Sequence, residues 1–195
     1  LADALHAQAH ESANRLHTVV SLIELGRDSE AIDFATDHLR STQRLTDAVV
    51  SAVDEPAVAA LLLGKVAQAA ERGVELTIDP DAHLPAGVLP AADLNTILGN
   101  LIDNAVDACA ATDSAPEVAV DVAAHGTVVE VTVADTGPGL DPAAAEAAFT
   151  RGWSTKETTA PGGRGLGLAL VRQTVHRLGG TITVSEPPGA VFTVR

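Results

Sequence analysis

The chain has 195 residues, 46% of them hydrophobic and 2% aromatic, and carries a formal net charge of −14 from 26 acidic and 12 basic side chains. The apolar content excludes a disordered chain, and the acidity argues against non-specific nucleic-acid binding, which relies on Lys and Arg to neutralise phosphates. The single cysteine, Cys109, excludes an intramolecular disulfide framework, and no apolar run approaches the roughly 20 residues of a membrane span. With so few aromatic rings the core must be built from Ala, Val, Leu and Ile. Any anionic ligand must meet a metal ion or a local cationic site.

In chain order, residues 1–25 read as an amphipathic helix, with Leu5, Ala9, Ser12, Leu16, Val19 and Ile23 forming a heptad-like seam. The pattern is already running at Leu1, so the expectation is a helix that begins upstream. His10, Asn14 and His17 fall off that seam, which predicts an accessible imidazole at His10. Gly26 to Ser29 stop this helix and cap the next, about residues 30–53, whose seam runs from Ile32 to Val53. Such a hairpin cannot bury its seam alone. Pairing with a second copy gives a four-helix bundle, so a homodimer is expected.

Asp54-Glu55-Pro56 breaks the pattern and divides the chain into an expected hairpin domain, 1–55, and a second domain, 56–195. In the second domain Val58–Arg72 reads as a helix, Val74–Ile78 as a strand and Asp79–Leu89 as a Pro-containing loop. Ala91–Ala111 reads as a long helix, followed by strands at Glu117–Ala123 and Val128–Ala134. A long irregular stretch, 135–163, holds one short helix near 142–149. Arg164–Leu178 is a helix, and Thr181–Ser185 and Ala190–Val194 a hairpin. This mixture predicts an α+β chain whose second domain is an α/β sandwich with a mixed sheet covered on one face.

Four stretches carry chemistry. Asn100 and Asn104 lie four apart on one face of the long helix. Two neutral carboxamide oxygens there can help hold a hard cation whose other ligands are phosphates and waters; two solvated asparagines are the plain alternative. Asp135-Thr136-Gly137-Pro138-Gly139 follows a strand, so its carboxylate can accept from the amino group of a base while the glycines admit a ligand, or the segment is an ordinary turn. Gly162 to Leu168, with Gly163, Arg164, Gly165, Leu166 and Gly167, opens a helix and offers free N–H groups to a phosphate. Between the last two, Phe149 to Lys156 supplies hydroxyls and cations, including Ser154, Thr155 and Lys156, as a lid over phosphates would.

Taken together, these motifs over residues 58–195 resemble the ATP-binding (GHKL or Bergerat) domain shared by sensor histidine kinases, gyrase, heat-shock chaperones and mismatch-repair ATPases. The resemblance implies that Asn100 and Asn104 are Mg²⁺ ligands and that Asp135, flanked by Gly137 and Gly139, reads adenine. It implies that Gly163, Arg164, Gly165, Leu166, Gly167 and Leu168 lie over the phosphates of ATP. ATPase relatives usually carry a Glu at the position of Asn100, so the Asn favours a kinase. The hairpin phrase from Leu5 to His17, with His10-Glu11-x-x-Asn14, is similar to the phosphotransfer domain of citrate- and dicarboxylate-sensing histidine kinases. What this implies is autophosphorylation of His10 and transfer to an Asp of a response regulator receiver domain. Glu11 would orient the imidazole and Asn14 position a water for phosphatase activity. The implied setting is a cytoplasmic catalytic core, attached to the bacterial inner membrane only through preceding segments.

Three positions depart from commoner kinase patterns: Arg15 where many have Pro, Ala190 where a Thr is frequent, and Asp107 where several families place a Lys or Arg. The last leaves Arg151, Lys156 or Arg164 to face the phosphates. The alternatives are a non-catalytic phosphotransfer or scaffold dimer, and another ATPase or serine kinase of the same ATP-binding type.

Overall fold

The computed structural model describes residues 17–109, 115–140, 147–150, 166–185 and 189–195, with backbone alone at 35 and 37–45. The chain divides into two compact units, Leu1–Asp47 and Ala48–Arg195. In the first, residues 17–24 are helical and Gly26, at φ 70°, makes the turn into α1, Asp28–Ala52. Arg27 caps the bend by donating to both carboxylate oxygens of Glu30. Ile23 and Ile32, members of the expected seams, are 54% and 64% exposed in the single chain. The expected helix over residues 1–16 lies outside the described residues.

The last turn of α1 belongs to the second unit, where Val49, Ala52 and Val53 are buried. Helix α2, Pro56–Glu71, begins with Pro at its first turn, where the missing N–H costs nothing, and ends at Arg72 and Gly73. Gly73 takes φ 72°, and the Val74 N–H returns to the Ala69 carbonyl to satisfy the helix end. Helix α3, Ala91–Cys109, is the central helix. Its Leu94, Ile97, Leu98, Leu101, Ile102 and Ala105 are at most 2% exposed, and each fully buried Leu or Ile stabilises the fold by about 1.5–3 kcal/mol. Gly99 faces α2, where a Cβ would make an ordinary van der Waals contact with Leu61 at 3.8 Å. Helix α4, Gly167–Arg177, is tied to α3 by Arg177, which donates to both oxygens of Asp93 at 3.1 and 2.6 Å.

The sheet contains β1 (Glu75–Ile78), β2 (Glu117–His125), β3 (Val128–Asp135), β4 (Ile182–Ser185) and β5 (Val191–Val194) in the order β1-β2-β3-β5-β4. Among these described strands β1 and β2 run parallel and the other pairs are antiparallel, with Val133 opposite both Val120 and Phe192. Alternation places Val118, Val120 and Val122, then Val129, Val131 and Val133, on one buried face. The helices pack on that face, and the mixed, singly covered sheet is the expected architecture. Phe149 closes one end against Phe192, edge to face at 6.4 Å, with the Arg172 guanidinium 5.9 Å from its ring centre.

The stretch after α1 is a backbone clip onto the loop before α3. Leu84 donates its N–H to the Ala52 carbonyl at 2.7 Å and accepts from the Asp54 N–H at 3.0 Å. Next to it, His83 bridges to Ala123 of β2, so the connector becomes an extra sheet edge over the fully buried Leu84 side chain. The short helix near 142–149 is described only at 147–148, and the helix expected from Arg164 begins at Gly167, with Leu166 as its N-cap.

Candidate functional site

Three distant stretches of sequence meet at one end of the sandwich. The first is α3. Asn100 donates from Nδ2 to the Thr96 carbonyl one turn back at 2.7 Å, which fixes the amide and turns Oδ1 toward Gly167. A Cβ at Gly167 would lie 2.9 Å from that oxygen, so the glycine is what lets α4 begin beside Asn100. Asn104, a turn further along, has a buried Nδ2 with no hydrogen-bond partner among the described residues. An orphaned buried donor costs about 1–3 kcal/mol, a cost relieved when a ligand oxygen reaches it.

The second stretch is the end of β3. Asp135 is 5% exposed. Its Oδ1 accepts from the N–H of Gly137 at 2.9 Å and from the N–H of Ala190 at 3.3 Å. Burial pushes the carboxyl above the ordinary Asp range, against the pull of those two N–H groups. With Oδ1 occupied twice, Oδ2 is the atom left to accept from an incoming donor. Gly137 has no room for a side chain: a Cβ would fall 2.8 Å from the Asp135 carboxylate and 2.9 Å from the Ala108 Cβ. That contact brings the end of α3 against the Asp-Thr-Gly turn. Thr136 holds the turn from outside, accepting from the Glu117 N–H at 2.9 Å and donating its own backbone N–H to the Glu117 carbonyl at 3.1 Å.

The third is the turn before β5. Gly189 adopts φ 95°, and a Cβ there would lie 1.8 Å from the Asp135 carbonyl oxygen. The Asp135 N–H in turn donates to the Ala190 carbonyl at 3.0 Å. Ala190 thus grips Asp135 through backbone alone, without the hydroxyl that a Thr would have added. Sequence reading missed this role. Pro187-Pro188-Gly189 signalled a hairpin turn, and nothing local indicated that the turn touches the carboxylate.

Of the residues expected in the site, the structure joins Asn100 to Gly167 and Asp135 to Gly137, and sets the two pairs at successive heights along α3. Gly139 takes φ 76° with its Cβ position 3.5 Å from the Gly189 carbonyl. Leu166, 47% exposed, and Leu168 flank Gly167. His10, Glu11, Asn14, Ser154, Thr155, Lys156, Gly163, Arg164 and Gly165 lie outside the described residues, as do Arg15, Arg151 and Trp153. Among the described residues no three His, Cys, Asp or Glu side chains converge as a metal cage. The Asn pair is thus suited to sharing a hard cation with ligand phosphates more than to holding one by itself. No described helix is long and apolar enough to cross a membrane.

Comparison with known proteins places this geometry. Over 198 residues the chain is 39% identical to the "Sensor protein CitS" of Halalkalibacterium halodurans, covering 99% of this chain and 36% of the relative. It is 40% identical to the Bacillus subtilis "Sensor protein CitS" and 33% identical to the Escherichia coli "Sensor histidine kinase DcuS", covering 35% of each. The chain therefore spans about a third of the length of these relatives. Among solved structures it is similar to full-length ShkA in complex with AMPPNP, with a TM-score of 0.55 and 25% identity over 87% of this chain and 38% of that one. The catalytic domain of histidine kinase ThkA shares the fold, with a TM-score of 0.56 at 21% identity over 71% of this chain and 88% of that one. The family model described as "Histidine kinase-, DNA gyrase B-, and HSP90-like ATPase" matches residues 90–195, from the start of α3 to the end of β5. With the Asn pair, the Asp135 turn and Gly167 all inside that match, the chain belongs to the histidine kinase-, DNA gyrase B- and HSP90-like ATPase family.

Proposed function

We propose that this chain is the catalytic core of a two-component sensor histidine kinase, which phosphorylates its own His10 from ATP and passes the phosphoryl group to an Asp of a response regulator. The observation that carries the reading is the line of groups along α3. Asn100, not a carboxylate, faces Gly167 at one end, and Asp135 presents at the other an oxygen with no partner among the described residues. An acceptor at the Asp135 end suits the adenine amino group, and a helix N-terminus at the Gly167 end suits phosphates. A neutral amide at position 100 cannot activate water as a base, which favours transfer to a side chain over hydrolysis.

Adenine sits at Asp135, with Gly137 and Gly139 giving the backbone its close approach. The phosphates lie toward Asn100, Asn104 and the segment Gly163, Arg164, Gly165, Leu166, Gly167 and Leu168, under a lid holding Ser154, Thr155 and Lys156. Asn100 and Asn104 are the side chains that would hold Mg²⁺, whose charge offsets that of the phosphates. His10 attacks the γ-phosphorus through its unprotonated nitrogen. An N–P bond forms, the bond to the bridging oxygen breaks, and ADP leaves with the electron pair. Glu11 takes the hydrogen bond from the other ring nitrogen and helps its proton depart. Asn14 positions a water for removal of the phosphoryl group.

The functional division is a homodimeric phosphotransfer hairpin, 1–55, and an ATP domain, 56–195. Full-length relatives are about three times longer, so sensing and membrane attachment fall to segments beyond this chain, with the core on the cytoplasmic side. Incubation with γ-labelled ATP and Mg²⁺ tests the reading. Acid-labile, base-stable label is expected on the wild-type chain and none on His10→Gln. Full labelling of the variant, or acid-stable label, refutes it.

A further inference from the structure

Two ion pairs join α2 to α3 on the flank of the cleft, and they are built differently. Lys65 Nζ meets Asp103 Oδ1 at 2.6 Å with the lysine only 15% exposed, as befits a packed strut between helices. Arg72, at the end of α2, pairs through Nη1 with Oδ1 of Asp107, and here the arginine side chain is 54% exposed. A guanidinium has five N–H donors in a planar fork, so a bond from Nη1 to Asp107 leaves donors to spare for a ligand.

The placement of Asp107 gives that exposure a direction. At about 100° per residue, Asp107 projects about 20° from Asn100 around the helix axis, on the cleft-facing stripe. Asp103 lies further round, toward α2. Along the axis Asp107 precedes Ala108, the residue against Gly137 beside Asp135. The helix therefore reads Asn100 and Gly167 at one end, Asp107 and the Asp135 turn at the other. In a chain of net charge −14 an anionic ligand needs fixed cations nearby. The Asp at position 107, where several families place a Lys or Arg, becomes intelligible as the holder of a cation delivered from α2.

We propose that Arg72, positioned by Asp107, is a nucleotide-binding residue, and that its guanidinium contacts the phosphate nearest the sugar. The base end of the cleft is fixed by Asp135, and Asp107 sits at nearly that height, so the first phosphate is within reach and the terminal one is not. This assignment rests on the cleft being an adenine-nucleotide site.

Calorimetric titration of the 195-residue chain with adenosine, AMP, ADP and ATP, Mg²⁺ held constant, tests it. Arg72→Gln is expected to weaken AMP, ADP and ATP alike, by about fivefold to tenfold, as for a partly exposed charge-assisted hydrogen bond. Adenosine affinity should not change, and the salt dependence of AMP binding should become shallower. Arg72→Lys, which keeps the charge and loses the fork, should fall between wild type and Arg72→Gln. A merely structural α2–α3 strut gives a different result: lower thermal stability with all four affinities unchanged, or all four weakened equally. Either outcome overturns the proposal, as does a loss confined to ATP. A wild-type chain that binds none of the four would sink the nucleotide cleft itself, a failure visible before any variant is compared.

Discussion

Replacing Asp135 by Asn separates what the carboxylate does for the fold from what it does for a ligand. In the free chain Oδ1 already accepts from Gly137 and Ala190. An Asn keeps those bonds only by placing its own oxygen there, which puts the NH₂ group where Oδ2 stood. The adenine amino group then meets a donor in place of an acceptor. Loss of a hydrogen bond to a charged group, with a donor left unsatisfied, is about 2–3 kcal/mol, or roughly 30- to 150-fold in affinity. Stability moves the other way. Burial raises the Asp135 pKa, so ionisation is harder in the folded chain than in the unfolded one. That penalty is full above the folded pKa and vanishes below the unfolded one. At neutral pH the neutral isostere should therefore melt no lower than wild type, and higher if burial outweighs the two N–H bonds. Calorimetry with ATP and with inosine triphosphate reads both halves, because the keto oxygen of hypoxanthine accepts where the adenine amino group donates. Asp135→Asn should lose ATP and improve in relative affinity for inosine triphosphate. Unchanged ATP affinity, or an unchanged preference between the two, refutes base reading by this carboxylate.

The same group predicts acid sensitivity. Adenosine has no phosphate to titrate, so its affinity should decline with falling pH from above the ordinary Asp range, and the Asp135→Asn variant should lack that decline. An affinity flat down to that range contradicts the assignment. Gly189→Ala asks whether the β5 turn can tolerate any side chain. With φ 95° and a Cβ position 1.8 Å from the Asp135 carbonyl oxygen, the variant should lose more than about 3 kcal/mol in urea unfolding. Wild-type stability would show that the turn readily rearranges.

Much of the fold was legible because it is written in short-range periodicity. The spacing of Leu94, Ile97, Leu98, Leu101 and Ile102 marks a helix with one apolar face, and the alternating valines of β2 and β3 mark strands with one buried face. The site was legible where chemistry and local structure coincide: Asn100 and Asn104 at one helical spacing, Asp135 at a strand end, glycine at a helix start. What escaped was contact between residues far apart in sequence. Arg72 and Asp107 are 35 residues apart and Asp135 and Ala190 are 55 apart, and nothing in the local pattern around either member says which distant residue it will meet. Leu84, in a loop rich in Pro and Asp, gives no sign that it will pair with the chain leaving α1. Ala190 could not be found by side-chain chemistry at all, because its contribution is a backbone N–H.

The clip at Leu84 changes where this chain can be cut or spliced. The break at Asp54-Glu55-Pro56 invites a division at residue 56, yet an excised piece starting there would lack Val49, Ala52 and Val53, which are 0%, 7% and 4% exposed in the intact chain. It would also leave the Leu84 N–H and carbonyl without the partners that Ala52 and Asp54 supply. A graft onto another sensor meets the same requirement: the junction belongs before Ala48, so that the final helical turn travels with the sheet it is bonded to.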